Sequence, residues 1–161
     1  MFCKRRYSNS ANSSSLNDGA AAVVVMSKEK AEELGVTPKV KIEGYAIAGF
    51  DAELMGYSPK ISSEKLADKL GLDLKSIDMF EINEAFASQA YAVSRDLGLD
   101  PEKVNIYGGG ISIGHPIGAT GAMLTVKVMY ELMRTDKKDA MISMCIGGGQ
   151  GISMYFTKCE A

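Results

Sequence analysis

An α/β fold with a mainly parallel sheet covered by helices is predicted by two observations. From Lys39 onward, strand-like and helix-like segments alternate, and the last two strand-like runs lie close enough in sequence to pair as an antiparallel hairpin at the sheet edge. The 161 residues, 46% of them hydrophobic, suffice for one ordinary domain with a real core.

Residues 1 to 19 are polar, rich in Ser and Asn, and close on the turn signal Asn17-Asp18-Gly19, so they read as a disordered or loosely held tail. The first seven are basic and free of acidic residues, a superficial likeness to an organelle transit peptide that is too short to carry weight. Ala20 to Met26 reads as a fully buried strand, and Ser27 as the N-cap of a short helix through Leu34 that stops at Gly35. Lys39 to Phe50 alternates, with Val40, Ile42, Ala46, Ala48 and Phe50 on one face, as a strand should. After the loop at Gly56 to Pro59, Ser62 or Ser63 caps a helix that runs to Leu70 and ends at Gly71, and Ile77 to Ile82 makes a short strand.

From Glu84 to Leu97 the spacing of Phe86, Ala90, Val93 and Leu97 predicts a helix, closed by Gly98, and Asp100-Pro101 is a loop signal. Val104 to Tyr107 is the next strand. Ala119 to Met133 is apolar on most sides, with Lys127, Glu131 and Arg134 confined to a narrow stripe, as in a helix buried inside a domain. Ala140 to Ile146 and Ile152 to Thr157 form the hairpin. The resulting order is β-α-β-α-β-α-β-β, with no internal repeat.

Composition excludes several classes. Eighteen Lys and Arg against twenty Asp and Glu leave a formal charge of -2 and no basic stripe, so nucleic acid is not an expected partner. No apolar run approaches the roughly 20 residues of a membrane-spanning helix, so no membrane partner is expected and the chain should be soluble. Three widely spaced cysteines, without the apolar core of a signal peptide, argue against a disulfide framework and for a reducing, cytoplasmic location. With a single histidine and no Cys or His at ligand spacing, no metal is expected. The many methionines read as plastic core packing. Neither glycine loop has the phosphate-cradle order G-x-x-x-x-G-K-[ST], nor does a G-x-G-x-x-G open a helix, so a nucleotide-binding module does not fit.

Three loop junctions hold the candidate chemistry. The stretch from Gly108 to Gly121 puts the only histidine, His115, on a glycine-rich loop before an apolar helix, with Pro116 fixing the chain after the imidazole. A histidine held there can donate a hydrogen bond in a defined direction. Cys145 leaves a β-rich run into the turn Gly147-Gly148-Gly149, and Asn83 opens Asn83-Glu84-Ala85-Phe86. Taken singly, Asn83 could cap the following helix, Cys145 could be an inert buried hydrophobe, His115 could be structural, and Cys159 reads as an exposed bystander.

Together, Asn83-Glu84-Ala85-Phe86, Gly114-His115-Pro116-x-Gly118-x-Thr120-Gly121 and Cys145-x-Gly147-x-Gly149-x-Gly151 resemble the thiolase family in order and spacing, and the resemblance extends over about Asn12 to Lys158. It implies a thiolase-like fold, in which two βαβαβαββ units pack into five layers. This chain would supply the second, with a mixed five-stranded sheet covered by helices. Residues 1–19 would then be a polar tail left from the loop region. Residues 20–38 would be a strand and short helix completing the absent N-terminal domain, and 39–161 the C-terminal domain.

The resemblance also implies chemistry: Claisen condensation of acetyl-CoA, or thiolysis of a 3-ketoacyl-CoA, through an acyl-cysteine whose nucleophile belongs to the first unit. Cys145 would be the acid/base cysteine, its pKa lowered by donors such as the N–H groups of Gly147, Gly148 and Gly149. His115 would donate a ring N–H to the enolate oxygen, and Asn83 would hold the water that completes that site. Ser14 would bond the pantetheine arm, with Ala85 and Phe86 lining its channel. No cofactor is implied, coenzyme A thioesters being the substrate. One departure from the family's Gly-x-Gly-Pro-x-x-Ala loop, Ser58 and Ser62 in place of glycine and alanine, adds bulk where the acyl group would fit. The expected partner is a complementary N-terminal half or a second copy, and the isolated chain should be inactive. The alternative is a non-catalytic fragment or half-protein.

Overall fold

The computed structural model describes residues 8–159, so Cys3 and the basic start lie outside the described residues. Eight elements follow α1 (Lys28–Leu34): β1 (Val40–Gly49), α2 (Ser58–Leu70), β2 (Phe80–Ile82), α3 (Ala87–Asp96), α4 (Gly110–Ile113), α5 (Thr120–Arg134), β3 (Asp139–Gly147) and β4 (Gln150–Lys158). Local chemistry explains several boundaries. Ser27 Oγ accepts from the Lys30 N–H at 3.2 Å, and Gly35 and Gly71 end α1 and α2 in the left-handed conformation with φ of 64° and 66°. Among the described residues no helix is long and apolar enough to cross a membrane.

The strands form one mixed sheet in the order β1-β4-β3-β2, antiparallel except for the parallel pair β2 and β3. It has four strands where five were expected. The segment from Val104 makes a single parallel bridge to Phe80, and then Asn105 turns away with φ of 48°. Its side chain does what a strand would do: Oδ1 accepts from the Ile82 N–H at 2.8 Å, and Nδ2 donates to the Ile82 carbonyl at 2.9 Å. The strand expected over 20–26 is also not formed. It pairs with no strand of this sheet, and Val24 and Val25 are 87% and 69% exposed.

Expected alternation along β1 fails for a local reason. The register with β4 shifts between Ile42 and Gly44, so Glu43 is an extra residue and Val40 and Ile42 fall on the opposite face from Ala46 and Ala48. One face packs under α2 and α3, where Leu66 and Val93 meet Phe80, Met141 and Tyr155. The other packs under α5, where Leu124, Val128 and Leu132 meet Ala140, Ile142 and Phe156. Past Val40, which still packs on that core, the second face is bare over β1, leaving Tyr45 and Ile47 exposed. At this outermost strand, Lys65 and Lys69 of α2 donate to the carbonyls of Ile47 and Tyr45 at 2.9 and 3.2 Å.

α2 begins four residues before the expected caps, with Pro59 in its first turn, where the missing N–H does no harm. Ser62 and Ser63 are therefore interior to the helix and fully buried. Their hydroxyls join those of Ser153 and Ser143, with Ser62 Oγ 2.7 Å and Ser63 Oγ 2.9 Å from Ser153 Oγ. Small residues let helix and sheet approach closely here. A Cβ on Gly151 would lie 2.5 Å from the Ser58 carbonyl, backbone that cannot yield locally.

Gly151→Ala should therefore destabilise the chain by about 2–3 kcal/mol through forced separation of α2 from the hairpin. Gly49→Ala, with nothing within 4 Å of the new methyl, should stay within about 0.5 kcal/mol. Urea unfolding of the two variants measures the contrast.

Candidate functional site

β2 and β3 run parallel, so their C-terminal ends leave the sheet at the same edge, the usual place for ligands in an α/β sheet. The ladder continues one step past β2, the Asn83 N–H donating to the Ser143 carbonyl at 2.9 Å, which places Asn83 level with Met144, one residue along β3 from Cys145. Asn83 is fully buried. Its reading as a helix cap is overturned: α3 starts at Ala87, and Phe86 stands at its N-cap in extended conformation with no side-chain cap bond.

The leading segment is not a loose tail where it crosses this edge. The Ala87 N–H donates to the Asn12 carbonyl at 2.9 Å, Ser14 N and Oγ donate to the Ala85 carbonyl at 3.1 and 3.3 Å, and the His115 N–H donates to the Ser15 carbonyl at 3.2 Å. Ser14, Ala85, Phe86 and His115 thus lie along one seam. The His115 loop needs its glycines for close approach. A Cβ on Gly114, where φ is 90°, would sit 2.3 Å from Asn17 Oδ1, and one on Gly109 would collide with the Glu84 carboxylate. That carboxylate accepts from the Ile111 N–H at 3.2 Å and from Asn105 Nδ2 at 3.0 Å, holding α4 and the loop against the end of β2.

His115 and Asn83 meet directly. Asn83 Nδ2 lies 3.5 Å from His115 Nε2, and His115 Nδ1 lies 2.6 Å from Thr120 Oγ1, at the first residue of α5. The Thr120 hydroxyl is also 2.9 Å from the Pro116 carbonyl, and its one hydrogen can serve either neighbour. Donated to the Pro116 carbonyl, it leaves Nδ1–H to donate to Thr120 Oγ1 and Nε2 to accept from Asn83 Nδ2. Donated to Nδ1, it puts the proton of a neutral imidazole on Nε2, which then faces the Asn83 amide as a second donor. Burial pushes the His115 pKa down, which favours the neutral ring. Asn83 Oδ1 is buried with no hydrogen-bond partner among the described residues, and Asn83, Gly110, Gly114, Thr120 and Lys127 line a cavity of about 300 Å³.

Cys145 stands apart from this pair. It is a free, half-buried thiol paired across the ladder with Gly151, and it makes no hydrogen bond to His115 or Asn83 among the described residues. Burial pushes its pKa up, partly offset by a hydrogen bond to its own backbone, the opposite of what a ready thiolate needs. The turn after it has positive φ at Gly147, Gly148 and Gly149 (97°, 57° and 80°), and the Gly149 carbonyl accepts from the Phe50 N–H at 2.7 Å. β3 nevertheless packs against the first turn of α5, Met144 Sδ lying 3.5 Å from where a Cβ on Gly121 would stand. Cys159 is half-buried rather than exposed, its N–H bonded to the Lys39 carbonyl at 3.1 Å.

The added bulk of Ser58 and Ser62 is fully buried and turned toward the sheet. Ser58 Oγ donates to the Gln150 carbonyl at 2.8 Å, and Ser62 Oγ bonds Ser153. Thr120, Glu84 and Asn105 had no assigned role in the sequence, although two of them lie inside the quoted motifs. A charged residue inside the apolar run Met79-Phe80-Glu81-Ile82 was a signal that Glu81 has a buried partner.

Comparison with known proteins agrees with this architecture. The family model described as thiolase, C-terminal domain, matches residues 36–158, which take in all four strands. The chain belongs to the thiolase family. It is similar to the beta-ketothiolase BktB of Cupriavidus necator, with 50% identity over 147 residues, covering 91% of this chain and 37% of that protein. A 3-ketoacyl-CoA thiolase of Bacillus subtilis is 47% identical over 148 residues, 92% of this chain and 38% of the relative. Among solved structures, the Bacillus anthracis acetyl-CoA acetyltransferase superposes with a TM-score of 0.91 at 45% identity, covering 93% of this chain and 38% of that one. Human mitochondrial 3-ketoacyl-CoA thiolase gives 0.90 at 39%, covering 99% and 40%. The chain therefore spans less than half the length of the relatives it matches.

Because the sequence has one histidine, a pH titration followed by ¹⁵N NMR reads a single imidazole. Its midpoint should fall below the ordinary 6.5, and a midpoint at or above that value would mean that the ring is not buried as described.

Proposed function

We propose that this chain is the C-terminal part of an acetyl-CoA acetyltransferase or 3-ketoacyl-CoA thiolase, working on coenzyme A thioesters together with a complementary half that carries the acylated cysteine. The observation that carries the reading is the part-buried contact between Asn83 and His115 at the sheet edge beside the end of β3, with Thr120 behind the ring. In this reading an incoming enolate oxygen selects the tautomer in which the Thr120 hydroxyl donates to Nδ1, and Nε2–H, giving up its contact with the Asn83 amide, donates to that oxygen of acetyl-CoA. Asn83 Oδ1, left without a protein partner, accepts from the water that is the second donor. Two preorganised donors aimed at an oxygen that gains charge only in the reaction lower the barrier more than they strengthen substrate binding.

Cys145 Sγ, as thiolate, takes a proton from the α-carbon and returns it in the thiolysis direction. Burial pushes the thiol pKa up in this chain, so in this reading the complementary half supplies donors or charges that make the thiolate accessible near neutral pH. Ser14, Ala85 and Phe86, side by side along the seam, suit a pantetheine arm running toward His115. The bare sheet face over β1 and the exposed valines at 23–25 are the surface that such a half, or a second copy of this chain, would cover.

The test is acetoacetyl-CoA thiolysis by the chain alone and co-expressed with the part of the Bacillus anthracis relative that it does not cover. Activity is expected only in the pair, falling by at least about 10³-fold in Cys145→Ala and about 10²–10³-fold in His115→Ala. Turnover by the chain alone would refute the missing-nucleophile reading. A pair that assembles without turnover would make the chain a non-catalytic half. In an active pair, Thr120→Val should lower kcat about tenfold with KM little changed, because only the proton on the ring is misplaced.

A further inference from the structure

Glu81 and Lys127 form a buried ion pair that the acyl-transfer reading does not use. Glu81 points from β2 toward α5 and is fully buried. Its Oε2 lies 2.7 Å from Lys127 Nζ, while Oε1 has no partner among the described residues. The same ammonium donates to the carbonyl of Gly108, the first residue of the glycine loop that ends in His115. Two other carboxylates face Glu81, and each is engaged elsewhere: Glu131 of α5 with Arg134, and Glu84 with Asn105 and the Ile111 N–H. Lys127 is thus the cation in contact with Glu81.

This arrangement adds charge to the buried face of a helix that otherwise packs Leu124, Val128 and Leu132 on the sheet. On α5, Glu131 is buried and Lys127 nearly so, while Tyr130 is 58% exposed. Burying charge costs desolvation that an ion pair seldom repays, so such a pair is weak evidence for stability. Geometric constraint is the better account of it. The loop has positive φ at Gly108 and Gly114, and its own backbone bonds close only the single turn of α4 between them, so its two ends have to be fixed from outside. It is held at its far end by Ser15 and Asn17 on the His115 N–H, in its middle by Glu84, and at its near end by Lys127.

We propose that Lys127 is a positioning residue for His115: by tying the Gly108 carbonyl to the Glu81 carboxylate, it fixes the base of the loop whose other end presents the imidazole. The significance of this role rests on reading His115 as the oxyanion donor, but the role itself can be measured without any activity. Burial already pushes the Glu81 pKa up to about 7 in spite of Lys127, so without the ammonium the carboxyl group is left protonated at neutral pH and the Gly108 carbonyl is released.

The sole histidine and the amides of residues 108–115 give the readout in the full chain, by ¹⁵N ring shifts and hydrogen exchange of wild type, Lys127→Met, Lys127→Arg and Glu81→Gln. Lys127→Met should speed exchange at 109–115 about tenfold or more and move the His115 ring shifts, while β3 and β4 keep their protection. Lys127→Arg should restore both. Wild-type loop exchange and ring shifts in Lys127→Met would overturn the proposal, as would exchange that rises equally across the sheet, which marks a general stabiliser. If Lys127→Met does not fold, Glu81→Gln, which keeps size and an acceptor, is read by the same criteria. A positive result in a chain that shows no thiolysis with any complementary half would refute the functional reading and leave the positioning role standing.

Discussion

The parallel ladder between Phe80–Ile82 and Met141–Ser143 is only three residues long, yet it joins segments far apart in sequence and lies buried between both core clusters. Each of its features is used. Alternation sends Phe80 and Ile82 into the core under α2 and Glu81 to the α5 side, where it meets Lys127. Its continuation holds Asn83 beside Ser143, and its free edge is closed by the side chain of Asn105. A long-range strand pair of this kind costs loop-closure entropy before its contacts can offset it, so the site takes its geometry from tertiary closure rather than from any local motif.

The two faces of the sheet are packed by different means. Under α2, four serine hydroxyls form a closed hydrogen-bonded cluster, and glycine at 151 lets the helix backbone press against the hairpin that carries Cys145. A satisfied polar cluster of this kind specifies one approach distance. Under α5 the contact is apolar at Leu124, Val128 and Leu132, with the Lys127–Glu81 pair set among them at mid-helix. The thiol and the imidazole therefore hang from different supports: the hairpin is fixed by close packing, and the histidine loop by hydrogen bonds from Glu84, Lys127 and the leading segment.

Much of this was legible in the sequence where the determinant is local. Ser27 with Gly35 bracketed α1, Gly71 ended α2, the triple glycine marked the hairpin, and the motifs around Asn83, His115 and Cys145 fell at the loop junctions where they were sought. What escaped depends on contacts across the chain. An asparagine that replaces a strand, a bulge at Glu43 that exchanges the faces of β1, and serines that bond a distant strand rather than cap a helix leave no mark in periodicity. The valines at 23–25 look like a buried strand because burial is written in composition, whereas the ladder that would bury them is not part of this sheet.

The outermost strand limits how this chain can meet others. Lysine ammonium groups sit on two carbonyls of β1, and the bulge at Glu43 interrupts its regularity, both of which are means by which natural sheets refuse an incoming strand. Growth along the hydrogen-bonding direction, the route to fibres, is therefore discouraged even though apolar surface lies open nearby. Any assembly that buries Tyr45 and Ile47 has to stack broadside onto the sheet, as one leaf laid on another, and not extend it as one more plank.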